Sequence, residues 1–106
     1  MVVTSGRRER TPEDPAARLR DAAAAGRTAE IRSLLAKGAP IDAADDDGET
    51  ALMKAVQANR PGAVALLRRR GANLDLKNHA GASARDMAAS IADAKLNRAL
   101  GLEPEN

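Results

Sequence analysis

The single histidine of this 106-residue chain, His79, is the first residue to test for chemistry. An imidazole can act as a general base when a serine or threonine hydroxyl lies beside it and a third group orients the ring. His79 lies in a long turn in which no serine or threonine is predicted beside it. The chain also has no cysteine to serve as a thiol nucleophile. We therefore predict a solvent-facing loop histidine and a protein that is not an enzyme.

The acidic run at residues 45–49 is the second candidate, because its carboxylates could ligate a cation. A Ca²⁺ loop needs oxygen ligands at positions 1, 3 and 5, glycine at position 6 and glutamate at position 12. With Gly48 at position 6, Ala43 occupies position 1 and Lys54 occupies position 12. The pattern fails at both ends, so Asp and Gly here are typical of a solvated turn. Phosphate-binding glycine motifs are also absent. We predict no metal, no cofactor and no small-molecule substrate.

Arg68, Arg69 and Arg70 form the densest basic run. Nucleic-acid binding would use such charges on phosphates, but proteins that bind single strands also offer aromatic stacking platforms. The chain has no Phe, Trp or Tyr, and its net charge is only +2. The three arginines also lie at the C-terminal end of a predicted helix, where their positive charges interact favourably with the helix dipole. A solvated helix face is the favoured interpretation, and nucleic-acid binding is disfavoured.

The elements that position these residues follow from composition. Alanine is the most frequent residue, and the other strong helix formers Leu, Arg and Glu are common, whereas β-branched residues are scarce and aromatic residues are absent. No apolar stretch is long enough for a membrane span or for the core of a signal peptide. We therefore expect an all-α domain in the cytoplasm that has no membrane association.

The sequence repeats with a period of about 33 residues. Glycines, apolar positions and capping residues coincide in one register when the chain is shifted by that length. The matched pairs include Gly38 with Gly71, Gly48 with Gly81, Asp42 with Asp75, Leu34 with Leu67, and Ala22 with Ala55. Each unit is therefore expected to be one copy of the same supersecondary structure, stacked on its neighbours to form a common core.

Start and stop signals place two helices in each unit. In the first unit, Asp14 and Pro15 predict a helix that runs to about Ala25, and Thr28 is predicted to cap a second helix that Gly38 ends. The second unit repeats this arrangement. Thr50 caps a helix that ends near Asn59, Pro61 opens the partner helix and Gly71 ends it.

The third unit is one residue shorter between its helices. Ser83 starts its first helix, and Gly101 ends its second. The apolar residues expected to face the core of this unit are Met87, Ala88, Ile91, Leu96 and Leu100. We predict a flexible polar tail over residues 1–13, units at about 14–47, 48–80 and 81–101, and a frayed tail over 102–106.

These units resemble ankyrin repeats, a family whose repeat carries a GxTPLHxA stretch and a later LLxxGA turn. Residues 48–55 read GETALMKA and residues 66–72 read LLRRRGA, while the first unit carries LLAKGA and the third GASARDMA, which is similar to the ending of many bacterial ankyrin arrays. The resemblance covers residues 15–100. It implies an all-α solenoid of three helix-turn-helix repeats that are joined by hairpin-like turns. Ala51 replaces the usual proline of the family and Met53 replaces the usual histidine, so a side-chain hydrogen bond that often braces the turn is lost.

The resemblance also implies a function, because ankyrin repeats usually bind proteins through their turn tips and the inner face of the first helix of each pair. Carried onto this sequence, those positions are Asp46, Asp47, Glu49, Gln57, Ala58, Lys77, His79 and Ala82, which are expected to be free of packing roles. We predict a non-catalytic module that binds an unidentified protein partner. The alternative is a structural or regulatory protein that acts by self-association, or as a dedicated chaperone or inhibitor of one enzyme or toxin. A monomer or a weak homo-oligomer is compatible with both.

Overall fold

The computed structural model describes residues 14–101, and both predicted tails, 1–13 and 102–106, lie outside this range. The described chain is helical and contains no β-strand. Its six helices, in chain order, are α1 (Pro15–Ala25), α2 (Thr28–Ala36), α3 (Ala51–Gln57), α4 (Pro61–Arg69), α5 (Ala84–Ile91) and α6 (Ala94–Ala99). The predicted all-α solenoid of three helix pairs is confirmed.

The period of the sequence is visible in the backbone. Helices α2 and α4 begin one period apart and end one period apart, and α3 and α5 also begin one period apart. Gly38 and Gly71, which follow α2 and α4, have the same φ of 95°. Such a left-handed conformation favours glycine and ends a helix. The sequence repeat is thus a repeat of conformation.

A side-chain cap fixes where each of α1, α3 and α5 begins, with Asp14, Thr50 and Ser83 as the capping residues. Thr50 accepts a hydrogen bond from the Met53 backbone N–H at 3.3 Å. Ser83 and Asp86 form a reciprocal capping box, in which each side chain accepts from the other residue's backbone N–H. The predicted cap at Thr28 is wrong: Thr28 is the first residue of α2, and Arg27 precedes it without a side-chain cap.

The helices form two layers around one core. Helices α1, α3 and α5 stack side by side as the inner layer, and α2, α4 and α6 stack behind them as the outer layer. Every pair places a leucine or isoleucine between the layers, and Leu19, Ile31, Leu52, Leu67 and Leu96 are all essentially inaccessible to solvent. Alanines such as Ala23, Ala55 and Ala88 fill the remaining contacts, and their small side chains let the helices approach closely.

The third pair departs from the predicted packing. Ala88, Leu96 and Leu100 are buried as expected, and Met87 is half-buried and packs against the core, but Ile91 keeps 38% of its surface exposed. The prediction that Ile91 faces the core is wrong: Ile91 is the last residue of α5, and its side chain lines the surface groove described below.

Polar side chains tie neighbouring pairs together. Arg60 donates from Nε to the Ala24 carbonyl at 3.1 Å, which joins the second pair to the first. Arg68 donates from Nε to the Ala99 carbonyl at 2.8 Å, which joins α4 to the last turn of α6. All three arginines of the run are exposed, as the interpretation of a solvated face predicts, and Arg68 has a structural role in addition.

Candidate functional site

Two turns project from the array between successive helix pairs, and we call residues 45–49 the first tip and residues 78–82 the second tip. In the first, the Asp45 backbone N–H donates to the Glu49 carbonyl at 3.0 Å. The Asp45 side chain accepts from the backbone N–H groups of Asp47 and Glu49, both at 2.9 Å. One side chain thus holds the whole turn, which is hairpin-like as predicted.

The second tip repeats this construction one period later. The Asn78 backbone N–H donates to the Ala82 carbonyl at 2.9 Å, and the Asn78 side-chain oxygen accepts from Ala80 and Ala82 at 2.9 and 3.0 Å. Asn can replace Asp here because the turn needs only one acceptor oxygen. Met53, at the position of the missing family histidine, is buried. Each tip is instead braced by one of its own side chains, Asp45 in the first tip and Asn78 in the second.

The two tips are also bonded to each other. The His79 backbone N–H donates to the Asp47 carbonyl at 3.0 Å, and the Asn78 amide donates to Glu49 Oε2 at 3.2 Å. Gly48 is buried under the second tip. A Cβ atom there would lie 2.8 Å from His79 Cδ2 and 3.0 Å from the His79 backbone nitrogen. The tips therefore form one rigid edge.

An ion-pair cluster anchors the first tip to α3. Lys54 Nζ lies 3.2 Å from Asp45 Oδ2 and 3.1 Å from Glu49 Oε1. Burial raises the pKa of both carboxyl groups, but hydrogen bonds and the Lys54 charge outweigh this effect and hold each pKa below its ordinary value. Burial likewise lowers the pKa of Lys54, but its two carboxylate partners raise it above the ordinary value. All three groups are charged at neutral pH.

Replacing Lys54 by Met, the residue at the same position of the third unit, is expected to destabilise the array by about 1 kcal/mol at neutral pH. Lowered carboxyl pKa values stabilise the fold above the ordinary values of 3.8 and 4.5, and this stabilisation is lost as the pH falls through the folded values. The difference between Lys54→Met and the parent should therefore shrink as the pH falls from about 7 to about 3. Thermal melting at several pH values measures it.

Lys37→Met is the matched control, because Lys37 is an exposed lysine at the end of α2 and makes no ion pair within the described residues. Its melting temperature should stay close to that of the parent at every pH. A stability difference for Lys54→Met that is the same at acidic and neutral pH would show that the cluster does not act through its carboxylates.

The sequence-predicted site residues fall into two groups. Asp46, Asp47, Lys77 and His79 have exposed side chains along the tip edge. Glu49 lies on the same edge, but it is held by Lys54 and Asn78. The expectation that Glu49 is free of packing roles is wrong.

The other three predicted site residues lie closer to the inner layer. Gln57 and Ala58 are exposed at the C-terminal end of α3, and Ala82 is partly buried at the end of the second tip. Two of these three, Gln57 and Ala82, come together in one groove with side chains of α5. The groove has a volume of about 380 Å³ and is lined by Gln57, Ala82, Asp86, Met87, Ser90 and Ile91.

Sequence reasoning missed the α5 half of this groove, because it assigned Met87 and Ile91 to the core alone, whereas Met87 packs against the core and also lines the groove, and Ile91 is exposed. The signal that could have found them is the repeat itself. One period earlier, Met87 corresponds to Lys54 and Ile91 corresponds to Ala58, and neither of those residues belongs to the core. An apolar residue at a position that is solvated in the preceding unit points to the surface.

The same site offers little for chemistry or for metals. Within residues 14–101, no group of three or more His, Asp or Glu side chains is arranged to hold a metal ion. In the first tip, Asp45 directs its carboxylate to backbone N–H groups and to Lys54. His79 packs its ring against Gly48 at the exposed edge. Of the six described helices, none combines the length and the apolar content needed to cross a membrane.

Comparison with known proteins agrees with the architecture. A family model described as ankyrin repeats (many copies) matches residues 19–68, which run from the second turn of α1 to the last turn of α4. A search of curated proteins found no significant match to the chain. The matched segment carries most of two of the three helix pairs, and the third pair repeats the side-chain cap of the first helix and the stacking. Residues 19–68 are therefore ankyrin repeats, and the predicted resemblance is supported over that segment.

Proposed function

We propose that this chain is a non-catalytic module that binds one protein partner through the tip edge and the inner layer. Ankyrin repeats are in general protein–protein interaction modules and are typically non-catalytic. The observation that carries the proposal is the first tip. Its backbone is fixed by Asp45 and by the second tip, while the side chains of Asp46 and Asp47 point into solvent. A surface that is already rigid loses little entropy when a partner binds.

The charges on the two sides of the array favour a basic partner. The tip side, which consists of the inner layer and the tips, carries nine acidic and five basic side chains, counted over residues 14–26, 39–59 and 72–92. The outer side, which consists of the outer layer, carries two acidic and nine basic side chains, counted over residues 27–38, 60–71 and 93–101. A basic surface is therefore attracted to the tip side and repelled from the outer side, and this effect weakens with salt.

The test is capture of proteins from the lysate of the source organism, with a cross-linker, at low and moderate salt. The intact chain is compared with an Asp46→Asn/Asp47→Asn variant, which keeps the tip backbone and removes two charges. We expect the parent to capture a basic protein and the variant to lose most of it. Glu30→Gln is the control, because it removes a charge from the outer layer and leaves the tips unchanged.

Capture of the same protein by the parent and by the Asp46→Asn/Asp47→Asn variant would show that the binding site does not lie at the first tip. No captured protein, together with a solution mass well above the 11.1 kDa of one chain, would favour the alternative of self-association. The opposite charges of the two layers are the observation that supports this alternative, because the tip side of one copy could pack on the outer side of another.

A further inference from the structure

The groove between α3 and α5 has an apolar floor formed by Met87, which packs against the core from beneath, and by Ile91. Met87 is half-buried there, and Ile91 is one of only two large apolar side chains that are exposed in the described chain, Leu76 being the other. The Met87 sulfur accepts a hydrogen bond from Gln57 Nε2 at 3.5 Å, so the side chain of α3 reaches across to α5. The floor therefore has a defined shape that is shared by two repeats.

The same positions are different in the other two units. The residues that correspond to Met87 are Asp21 and Lys54, and the residues that correspond to Ile91 are Ala25 and Ala58. The first two units fold with charged side chains and alanines at these positions, so the fold does not require large apolar residues there. Half-buried Met87 and exposed Ile91 therefore give the third pair an apolar surface that the first two units lack at these positions, and a partner can contact it.

A carboxylate stands at the edge of this floor. The Asp86 side chain is exposed and lines the groove, and its bonds with Ser83 fix its orientation at the start of α5. Hydrogen bonds from the Ser83 backbone and side chain lower the pKa of Asp86, so it is ionised at neutral pH. No ion pair to Asp86 is formed within residues 14–101. The groove thus combines apolar contact with one fixed negative charge.

We propose that the groove binds a cationic segment of the partner protein. One aliphatic side chain of this segment contacts Met87 and Ile91, and one of its lysine or arginine side chains pairs with Asp86. The inference rests on the proposed function and specifies the chemistry that the partner must present. The volume of about 380 Å³ lies at the small end of the range for ligand pockets, about 300–1,000 Å³, which fits one or two side chains better than a folded surface. The acidic excess of the tip side steers the same kind of segment to this side of the array.

The test begins with selection of peptides from a random 12-residue displayed library on the full-length chain, followed by affinity measurements on the enriched peptides by fluorescence anisotropy. We expect enriched peptides to carry an aliphatic residue within a few positions of Lys or Arg. Met87→Gln/Ile91→Ala should weaken their binding at least tenfold, since buried apolar anchors dominate such sites. Asp86→Asn, which retains an oxygen for the Ser83 N–H, should weaken binding by about threefold to tenfold, and more at low salt than at high salt.

Leu76→Ala is the matched control, because it removes the other exposed large apolar side chain and should leave the affinity within about twofold of the parent. The melting temperature of each variant shows whether the fold is intact. Enriched peptides that lack a basic or an aliphatic residue, or that bind Met87→Gln/Ile91→Ala as tightly as the parent, would overturn the inference. Peptides that instead lose affinity with Asp46→Asn/Asp47→Asn would also overturn it, but they would support the proposed function with the first tip as its site. A selection that enriches no sequence would overturn this inference but not the proposed function, because the cross-linking test of that function does not depend on a short peptide.

Discussion

Leu67→Ala is expected to lower the free energy of unfolding by about 2–5 kcal/mol. Leu67 has no exposed surface and lies in α4, which contacts the helices of all three pairs. The substitution removes apolar contacts and leaves a cavity that the rigid neighbours on both sides cannot fill. Because natural domains are stable by only about 5–15 kcal/mol, a loss of this size removes a large part of the total. Urea denaturation, followed by circular dichroism, measures it.

Leu76→Ala provides the comparison for this measurement, because it removes the same atoms from a side chain that is 36% exposed. Its effect should stay within about 0.5 kcal/mol, which is typical of surface substitutions. Equal denaturation midpoints for Leu67→Ala and the parent would mean that Leu67 does not lie in the core between the repeats, and that the repeat register is wrong.

Gly48→Ala is expected to destabilise the array by about 2–4 kcal/mol, through two effects that can be separated. Gly48 has a φ of +79°, which strains any residue that carries a Cβ atom. The new Cβ would also lie 2.8 Å from His79 Cδ2 and 3.1 Å from the Asn78 Cα. The second tip must then move away from the first, and the tip edge loses its inter-tip hydrogen bonds.

Gly81→Ala separates the two effects. Gly81 occupies the same position in the second tip with a φ of +82°, but a Cβ there would meet nothing within 4 Å. This variant suffers only the backbone strain, about 1 kcal/mol. The excess of Gly48→Ala over Gly81→Ala in urea denaturation therefore measures the packing of one tip on the other. Equal effects would show that the tips are not in contact in solution.

The local structure of this protein could be predicted in detail from its sequence. Helix starts at Pro15 and Pro61 and the caps at Thr50 and Ser83 are confirmed because these signals act over three or four residues. The repeat period added the tertiary arrangement, since identical units can bury their apolar faces only by stacking. Thr28 failed as a cap because α2 starts one residue earlier than predicted, with the Ile31 backbone N–H bonded to the Arg27 carbonyl at 3.0 Å.

The candidate site could be predicted only in part. Residue types and the family resemblance indicated which turns project, and four predicted tip residues are exposed. The pairing of Asn78 with Glu49 depends on how the two tips are superposed, and that of Lys54 with Asp45 on how the first tip folds back on α3, and no local pattern encodes either. The groove was missed for a different reason. Met87 and Ile91 have helical spacing, and this spacing is the same for a core stripe and for an exposed binding stripe.

The groove joins side chains from two helix pairs, and this has a consequence for local opening of the chain. Within residues 14–101 the third pair packs on the second pair, and the contact between α5 and α6 is the smallest within any pair. A unit with few contacts opens at a lower free energy than the rest of the array, and its amide hydrogens exchange with solvent first. A molecule bound to Gln57 of α3 and to α5 at once must leave before the third pair can detach. At a ligand concentration of 100 times Kd this would add about 2.7 kcal/mol to the opening free energy. The exchange rates of α5 and α6 would therefore report whether the groove is occupied.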